Sequence, residues 1–141
     1  MLTPIKILAA KLQIPHCHKT IPRGRFDHLA ADIPAARLTT ISGGGGYGKT
    51  TLAAQIAAAM HSRVVWYRID RSDEDYVCFL FYLIYGIRRH FPKFGNETLA
   101  RIIEAENTHR ERRVIFTLFQ SETEKHIQKP LILFLDDYHT V

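Results

Sequence analysis

The stretch from Gly43 to Thr51, GGGGYGKTT, contains residue types that can hold phosphate groups. Gly43, Gly48, Lys49 and Thr50 satisfy the pattern G-x-x-x-x-G-K-[ST] of phosphate loops. In such a loop backbone N–H groups cradle the phosphates, the lysine ammonium reaches the β- and γ-phosphates, and the hydroxyl ligates magnesium. The spacing therefore predicts a nucleoside triphosphate site. Its predicted contacts are Gly43, Gly46, Tyr47, Gly48, Lys49, Thr50 and Thr51.

The same glycines also fit a second nucleotide pattern. Gly43, Gly45 and Gly48 satisfy G-x-G-x-x-G, the dinucleotide fingerprint, which expects an acid about 20 residues further on. Asp70 ends a β-rich run and meets that expectation. A dinucleotide-binding helix, however, needs neither the lysine nor the threonine that follows the last glycine. The phosphate-loop interpretation is therefore favoured.

A second acidic segment supports this choice. Five apolar residues, Leu131 to Leu135, precede Asp136 and Asp137. NTPases of the phosphate-loop class place such an aspartate opposite the loop, where it holds magnesium through the metal's water shell. We therefore predict a magnesium site formed by Thr50 and Asp136, and catalytic roles for Lys49 and Asp137. Asp137 would orient or deprotonate the attacking water.

The order of predicted elements gives an α/β chain with a parallel sheet. Apolar periodicity and β-branched runs predict strands and helices, and Asn96 is a plausible helix cap. The predicted strands are Arg37 to Ser42, Arg63 to Asp70 and Leu131 to Leu135, and the main predicted helices are Lys49 to Met60, Asp75 to His90, Asn96 to about Thr108 and Arg110 to Gln128.

Composition limits the class of protein. A chain of 141 residues is one domain's worth, and its net charge of +5 suits a solvated surface or any polyanion. Cys17 and Cys78 form no C-x-x-C motif, which argues against a disulfide scaffold and predicts a cytoplasmic location. The longest uncharged stretch, Tyr76 to Ile87, is shorter than the roughly 20 residues that cross a bilayer. We expect no membrane partner.

Four segments carry a resemblance to a known family. They are AAKLQIPHCHKTIPRGRF, ISGGGGYGKTTLAAQIA, VVWYRIDRSDEDYVCFLFYLI and PLILFLDDYHTV. The chain resembles the N-terminal ATPase domain of STAND-class proteins, and more closely the large ATP-binding LuxR-type transcriptional regulators of the maltose-regulon activator type. The resemblance implies an ASCE/STAND-type P-loop NTPase fold, a three-layer sandwich with a parallel sheet. It also implies that Pro22 and Arg23 lie near the adenine.

The resemblance also implies a division of the chain and an unfinished sheet. Residues 1–30 would be an N-terminal arm with the adenine-side motif, and residues 31–141 a P-loop NTPase core that stops after the magnesium strand. In the family's strand order a later strand lies between the first strand and the Asp136 strand, so we expect a gap or an exposed edge. DNA binding would belong to a missing C-terminal domain, and self-association to the full-length regulator.

The resulting hypothesis is a nucleotide switch. The chain would bind Mg-ATP, hydrolyse it slowly to ADP, and act as the switch module of a signal-responsive transcriptional regulator. Two alternatives stay open. One is a small-molecule phosphotransferase, for which Arg110, Arg112 and Arg113 are the candidate lid residues. The other is an interaction fragment that does not hydrolyse nucleotide.

Overall fold

The computed structural model describes residues 8–16, 21, 24–26 and 28–138. The helices are α1 (Leu29–Asp32), α2 (Lys49–Ala59), α3 (Tyr76–Arg88), α4 (Asn96–Glu104) and α5 (Thr108–His126), and the strands are β1 (Arg63–Arg68) and β2 (Leu131–Asp136). Short 3₁₀ helices lie at Ala9–Leu12, Gly24–Phe26, Ile33–Ala35 and Arg71–Glu74. The helices predicted after Lys49 are thus confirmed, with ends that differ by a few residues.

The two strands form one parallel sheet. Arg63 pairs with Leu131 and the register continues to Arg68, which pairs with Asp136. The backbone N–H of Ile69 extends this ladder by donating to the Asp136 carbonyl at 2.9 Å. Parallel strands need a long crossover, and α3, α4 and α5 supply it. The carboxyl ends of β1 and β2 therefore meet at one rim of the sheet, and the chain is α/β as predicted.

Helices cover strand β1 from both faces. Val65 and Tyr67 of β1 are buried in clusters built with α3 and α4, and Phe119 of α5 packs against the same clusters. Trp66 points to the opposite face, where it packs with Ala54 and Ala57 of α2. This alternation is the period of two that a strand covered on both faces requires.

The strand predicted at Arg37 to Ser42 is wrong, because these residues have no regular structure in the described chain. A β-rich run becomes a strand only when a neighbour accepts and donates its backbone hydrogen bonds. The two described strands pair with each other, and Leu38 is 84% exposed. Leu133 and Leu135 of β2 also stay 39% and 37% exposed. The part of the chain that the structure describes therefore leaves β2 incompletely covered.

The helix caps refine the sequence-based boundaries. Asp75 caps α3, because its side chain accepts hydrogen bonds from the N–H groups of Val77 and Cys78. The predicted cap at Asn96 is wrong: Gly95, with φ +77°, is the N-cap residue of α4, and Asn96 is the first helical residue. Among the described helices, none is both long and apolar enough to cross a bilayer.

Candidate functional site

The glycine loop leads directly into α2, which begins at Lys49. Gly46 and Gly48 have φ values of +77° and +74°, a left-handed conformation that side-chain-bearing residues rarely adopt. These turns lead the chain into α2, so the first N–H groups of the helix lie next to the loop. A helix start of this kind carries partial positive charge and favours anions.

Tyr47 stands at the outer surface of the loop. Its ring lies beside Gly44, where a Cβ added to the glycine would come within 3.0 Å of the ring carbon Cε2. The side chain is largely exposed. A tyrosine in this place covers one side of the loop sterically. Gly43, Gly44 and Gly45 are exposed beside it.

The Lys49 side chain folds back over the loop. Its ammonium donates to the carbonyl oxygens of Gly43 and Gly44, each at 2.9 Å. The positive charge is thus held at the loop itself, within the same few residues whose amides open α2. Because loop carbonyls are neutral acceptors, an anionic oxygen at this place would bind the ammonium more strongly.

Thr50 and Asp136 meet although 86 residues separate them in the sequence. The threonine hydroxyl donates to Asp136 Oδ1 at 2.8 Å. The other carboxylate oxygen, Oδ2, is buried without a hydrogen-bond partner among the described residues. A buried carboxylate oxygen left in this state costs free energy, about 1–3 kcal/mol or more, unless a ligand satisfies it. The predicted pair is therefore brought together at the C-terminal rim of the sheet.

The donor set fits a magnesium ion shared with a nucleotide. No group of three or more His, Cys, Asp or Glu side chains forms a metal cage in the described part of the chain. Magnesium does not need one, because it takes one or two protein oxygens and completes its shell with waters and substrate phosphates. One hydroxyl, of Thr50, and one carboxylate, of Asp136, beside the glycine loop match this requirement.

Asp137 follows β2 with a φ of +59°, the one described non-glycine residue with a positive φ. Its Oδ2 accepts a hydrogen bond from Arg68 Nε at 3.2 Å. The sequence reasoning did not find Arg68. No motif of the sequence marks this arginine: the parallel register of the folded sheet pairs Arg68 with Asp136 and places it beside the two aspartates.

The remaining predicted residues have different outcomes. Thr51 lies in the first turn of α2 and is half-buried. Pro22 and Arg23 lie outside the described residues, but the amide of Gln55 on α2 donates to the carbonyl of Ile21 at 3.3 Å. That contact places the residue before Pro22 beside α2. Arg112, one of the three candidate lid arginines, lies over the rings of Tyr76 and Phe116, 5.2 and 5.5 Å from their centroids.

Asp70, the acid of the dinucleotide alternative, is engaged by its own turn. Its Oδ1 accepts from the N–H and hydroxyl of Ser72 at 2.9 and 2.6 Å, and its Oδ2 pairs with Lys11 Nζ at 2.9 Å. The Ser72 hydrogen bonds, followed by the Lys11 ammonium, lower the pKa of Asp70 to about 2. These contacts make Asp70 part of a capping box at Arg71–Glu74 rather than a ribose ligand.

Lys11 forms a buried ionic cluster that the sequence reasoning did not predict. Its ammonium also pairs with the fully buried carboxylate of Asp73 at 2.8 Å. Burial alone would lower the pKa of Lys11, but the hydrogen bonds and charges of Asp73 and Asp70 outweigh it, so the pKa is raised. The cluster fastens the segment around Lys11 to the end of β1.

A cavity of about 390 Å³ lies between the segment around Leu12, strand β1 and helix α3, and not at the glycine loop or the two aspartates. None of the predicted site residues lines it. Its walls are Leu12, Gln13, Ile14, His16, Val64, Val65, Trp66, Gly86 and Arg89.

Curated relatives carry one recurring name. The chain is 31% identical over 137 residues to the HTH-type transcriptional regulator MalT of Serratia proteamaculans, a match that covers 96% of this chain and 15% of that protein. It is 31% identical over 136 residues to proteins of the same name from Yersinia pestis and Yersinia pseudotuberculosis, with the same coverage. The chain resembles a segment of a MalT-type transcriptional regulator. This agrees with the resemblance that the sequence motifs indicate.

The match covers only a small part of each relative. The chain spans about 15% of the length of the relatives that it matches. No protein-family model matches the chain, and no solved structure matches it.

Proposed function

We propose that the chain binds Mg-ATP and hydrolyses it slowly, and that it serves as the nucleotide switch module of a signal-responsive transcriptional regulator. The contact between Thr50 and Asp136 is the observation that carries the proposal. It brings the hydroxyl at the start of α2 to the acid at the end of β2, as a magnesium-nucleotide site of this class requires. A P-loop NTPase core over residues 31–141 belongs to the same proposal.

The loop would recognise the triphosphate chiefly through its backbone. The N–H groups from Gly46 to Thr51 lie at the positive end of α2 and would donate to phosphate oxygens. Lys49 would exchange the carbonyls of Gly43 and Gly44 for β- and γ-phosphate oxygens. The lysine ammonium is already held at the loop, which supports this exchange.

Thr50 and Asp136 would hold the magnesium ion, Thr50 directly and Asp136 through the metal's water shell. The bound ion would neutralise charge on the β- and γ-phosphates. The orphaned Oδ2 of Asp136 supports this role, since a metal-bound water could donate to it. Asp137 would orient or deprotonate the attacking water, and because its side chain is shorter than glutamate we expect slow turnover to ADP.

The regulatory context of the proposal comes from the relatives. Their name includes a helix-turn-helix type, so DNA binding in a longer protein would rest on a part outside the matched segment. Pro22 and Arg23 would lie near the adenine, and the contact between Gln55 and Ile21 supports a path of the arm along α2. Self-association would likewise belong to the longer regulator.

Replacing Lys49 tests the proposal most directly. Titration calorimetry of the 141-residue chain with ATP and Mg²⁺ should show binding that Lys49→Ala weakens about 10- to 100-fold, the worth of a hydrogen bond to a charged group. Lys129→Ala removes an exposed lysine far along the sequence and is the matched control. Thr50→Val should weaken binding only when magnesium is present.

Two results would contradict the proposal. Unchanged ATP affinity in Lys49→Ala would remove the phosphate-loop assignment. Absence of ATP binding by the folded wild-type chain would favour the alternative of an interaction fragment.

A further inference from the structure

We infer that Arg68 is a positioning residue that orients the Asp137 carboxylate for hydrolysis. The inference rests on the proposed function, because it assigns a partner to the acid that would activate water. It concerns a residue outside both the glycine loop and the two-aspartate motif.

The geometry places the arginine where it can act on one aspartate and not the other. Arg68 ends β1, and the register sets it beside Asp136 at the rim of the sheet. The carboxylate of Asp136 turns to Thr50, whereas Asp137 Oδ2 accepts from Arg68 Nε at 3.2 Å. Two consecutive carboxylates therefore have separate partners: one is directed to the start of α2 and the other is held across the sheet by β1.

The backbone conformation at Asp137 makes its hydrogen bond with Arg68 important for the orientation of the carboxylate. Its φ of +59° ends the strand geometry abruptly, so the side chain is not fixed by the alternation that orients residues within β2. Asp137 is half-buried, and Arg68 is 64% exposed. The guanidinium carries its donors in a rigid planar fork, so its hydrogen bond fixes the position of the Asp137 oxygen more narrowly than a flexible ammonium or an amide would.

The chemical step that depends on this orientation is transfer of the γ-phosphoryl group to water. The bond from the water oxygen to the γ-phosphorus forms while the bond from that phosphorus to the β–γ bridging oxygen breaks. A water proton passes to the Asp137 carboxylate and then to solvent, and the products are ADP and inorganic phosphate. Proton acceptance requires a carboxylate within hydrogen-bond reach of the water, so its orientation enters the rate and leaves ground-state binding of ATP unchanged.

The test separates turnover from binding. Steady-state phosphate release by the full chain with Mg-ATP should fall about tenfold in kcat for Arg68→Gln, with partial recovery in Arg68→Lys. The Kd for a non-hydrolysable ATP analogue should not change. Arg71→Gln, which removes another exposed arginine near the same rim, is the matched control. Because the Arg68 side chain is mostly exposed, the variant should fold.

A double variant identifies the route of the effect. If Arg68 acts through Asp137, Arg68→Gln should cause no further loss in an Asp137→Asn background. A full additional loss in that background, an increase in kcat for Arg68→Gln, or an unchanged kcat would overturn the inference. Tight analogue binding without any wild-type turnover would also overturn it while leaving nucleotide binding intact. Absence of analogue binding would instead refute the proposed function itself.

Discussion

The two faces of the sheet are built by different means. On the face covered by α3, α4 and α5, large side chains interlock, and several are fully buried: Tyr67, Ile84, Phe94, Ile102 and Ile115. On the opposite face α2 packs mainly through the small residues Ala54 and Ala57 against Trp66. The glycine loop before α2 is exposed. One face is a packed scaffold over β1, although Leu133 and Leu135 of β2 stay partly exposed on it, and the other face presents a helix start to solvent.

The polar groups show the same division. On the scaffold side the carboxylates of Asp73 and Glu122 are buried and satisfied by the protein's own donors. On the α2 side Asp136 keeps a buried oxygen without a described partner, and Lys49 rests on neutral carbonyls. The two buried carboxylates of the scaffold side are thus held by donors of the protein, whereas Asp136 on the α2 side keeps an oxygen that a ligand could satisfy. Substitutions on the two sides should therefore have different consequences.

The largest loss of stability should follow Lys11→Met, which breaks the buried cluster at the end of β1. The Asp73 side chain is 0% exposed and would lose its cationic partner. Removing one member of a buried ion pair costs about 3–5 kcal/mol. Chemical denaturation of both proteins at neutral pH measures the difference.

An exposed pair provides the control for this comparison. Lys125 pairs with Glu97 at 3.1 Å, and both side chains are more than half exposed. Lys125→Met should therefore cost less than about 1 kcal/mol. Equal losses of stability in Lys11→Met and Lys125→Met would remove the distinction between the buried and the exposed pair.

The stability that Lys11 contributes should also depend on pH. Because the pKa of Lys11 is raised above its ordinary 10.5, this contribution is complete below that pH and is lost as the pH rises through the folded value.

Two glycines with the same φ of +77° compare the two sides more closely. A Cβ at Gly95 would overlap the buried side chain of Ile84, whereas a Cβ at Gly46 would meet no atom within 4 Å. Left-handed strain costs about 1–2 kcal/mol in both, and overpacking adds about 1–3 kcal/mol at Gly95 alone. Gly95→Ala should therefore destabilise the chain by about 3 kcal/mol, and Gly46→Ala by about 1 kcal/mol.

Thermal and denaturant unfolding of the two alanine variants measures this difference in stability, and titration with ATP compares their nucleotide affinities. Gly46→Ala should weaken ATP binding although it unfolds almost like the wild type. Gly95→Ala should leave affinity unchanged wherever it is folded. A larger stability loss at Gly46 than at Gly95 would reverse the comparison of the two faces.

Local sequence patterns predict most of the helices and strands, whereas most contacts between residues distant in the sequence were not predicted. The helix beginning at Lys49 and the strands β1 and β2 follow from periodicity and neighbouring breakers. The strand predicted at Arg37 to Ser42 failed because pairing, unlike helix formation, needs a partner elsewhere. Thr50 and Asp136 could be joined in advance because two separate motifs imply one metal.

The contacts that were missed have no such motif. Lys11 and Asp73 lie 62 residues apart, and Arg68 and Asp137 lie 69 apart. Each pair depends on the packing of whole elements, and the residue types alone do not favour one partner over another. The cap of α4 is a further case: sequence indicated Asn96, but in the structure a distant carboxylate caps the helix.

That carboxylate belongs to Glu122. Among the substitutions of buried groups on the scaffold side, its replacement should cause the smallest loss of stability. Glu122 of α5 is buried and accepts hydrogen bonds at 3.0 Å from the N–H groups of Glu97 and Thr98, in the first turn of α4. It also accepts the Thr98 hydroxyl at 2.6 Å. Because Gly95 has no side chain to cap the helix, Glu122 supplies the cap and the negative charge that a helix start favours.

Glu122→Gln keeps the shape but turns an NH₂ group toward donors, so it should cost about 2 kcal/mol near neutral pH. Burial alone would raise the pKa of Glu122, but the Thr98 hydrogen bonds and then that of Glu97 outweigh it, so the pKa lies below its ordinary 4.5. A lowered pKa contributes stability that is complete above pH 4.5 and is lost as the pH falls through the folded value. The difference between the wild type and the variant should therefore shrink on acidification, as denaturant unfolding from about pH 7 to about pH 3 would show. A gap that stayed constant over that range would mean that Glu122 caps α4 by shape rather than by charge.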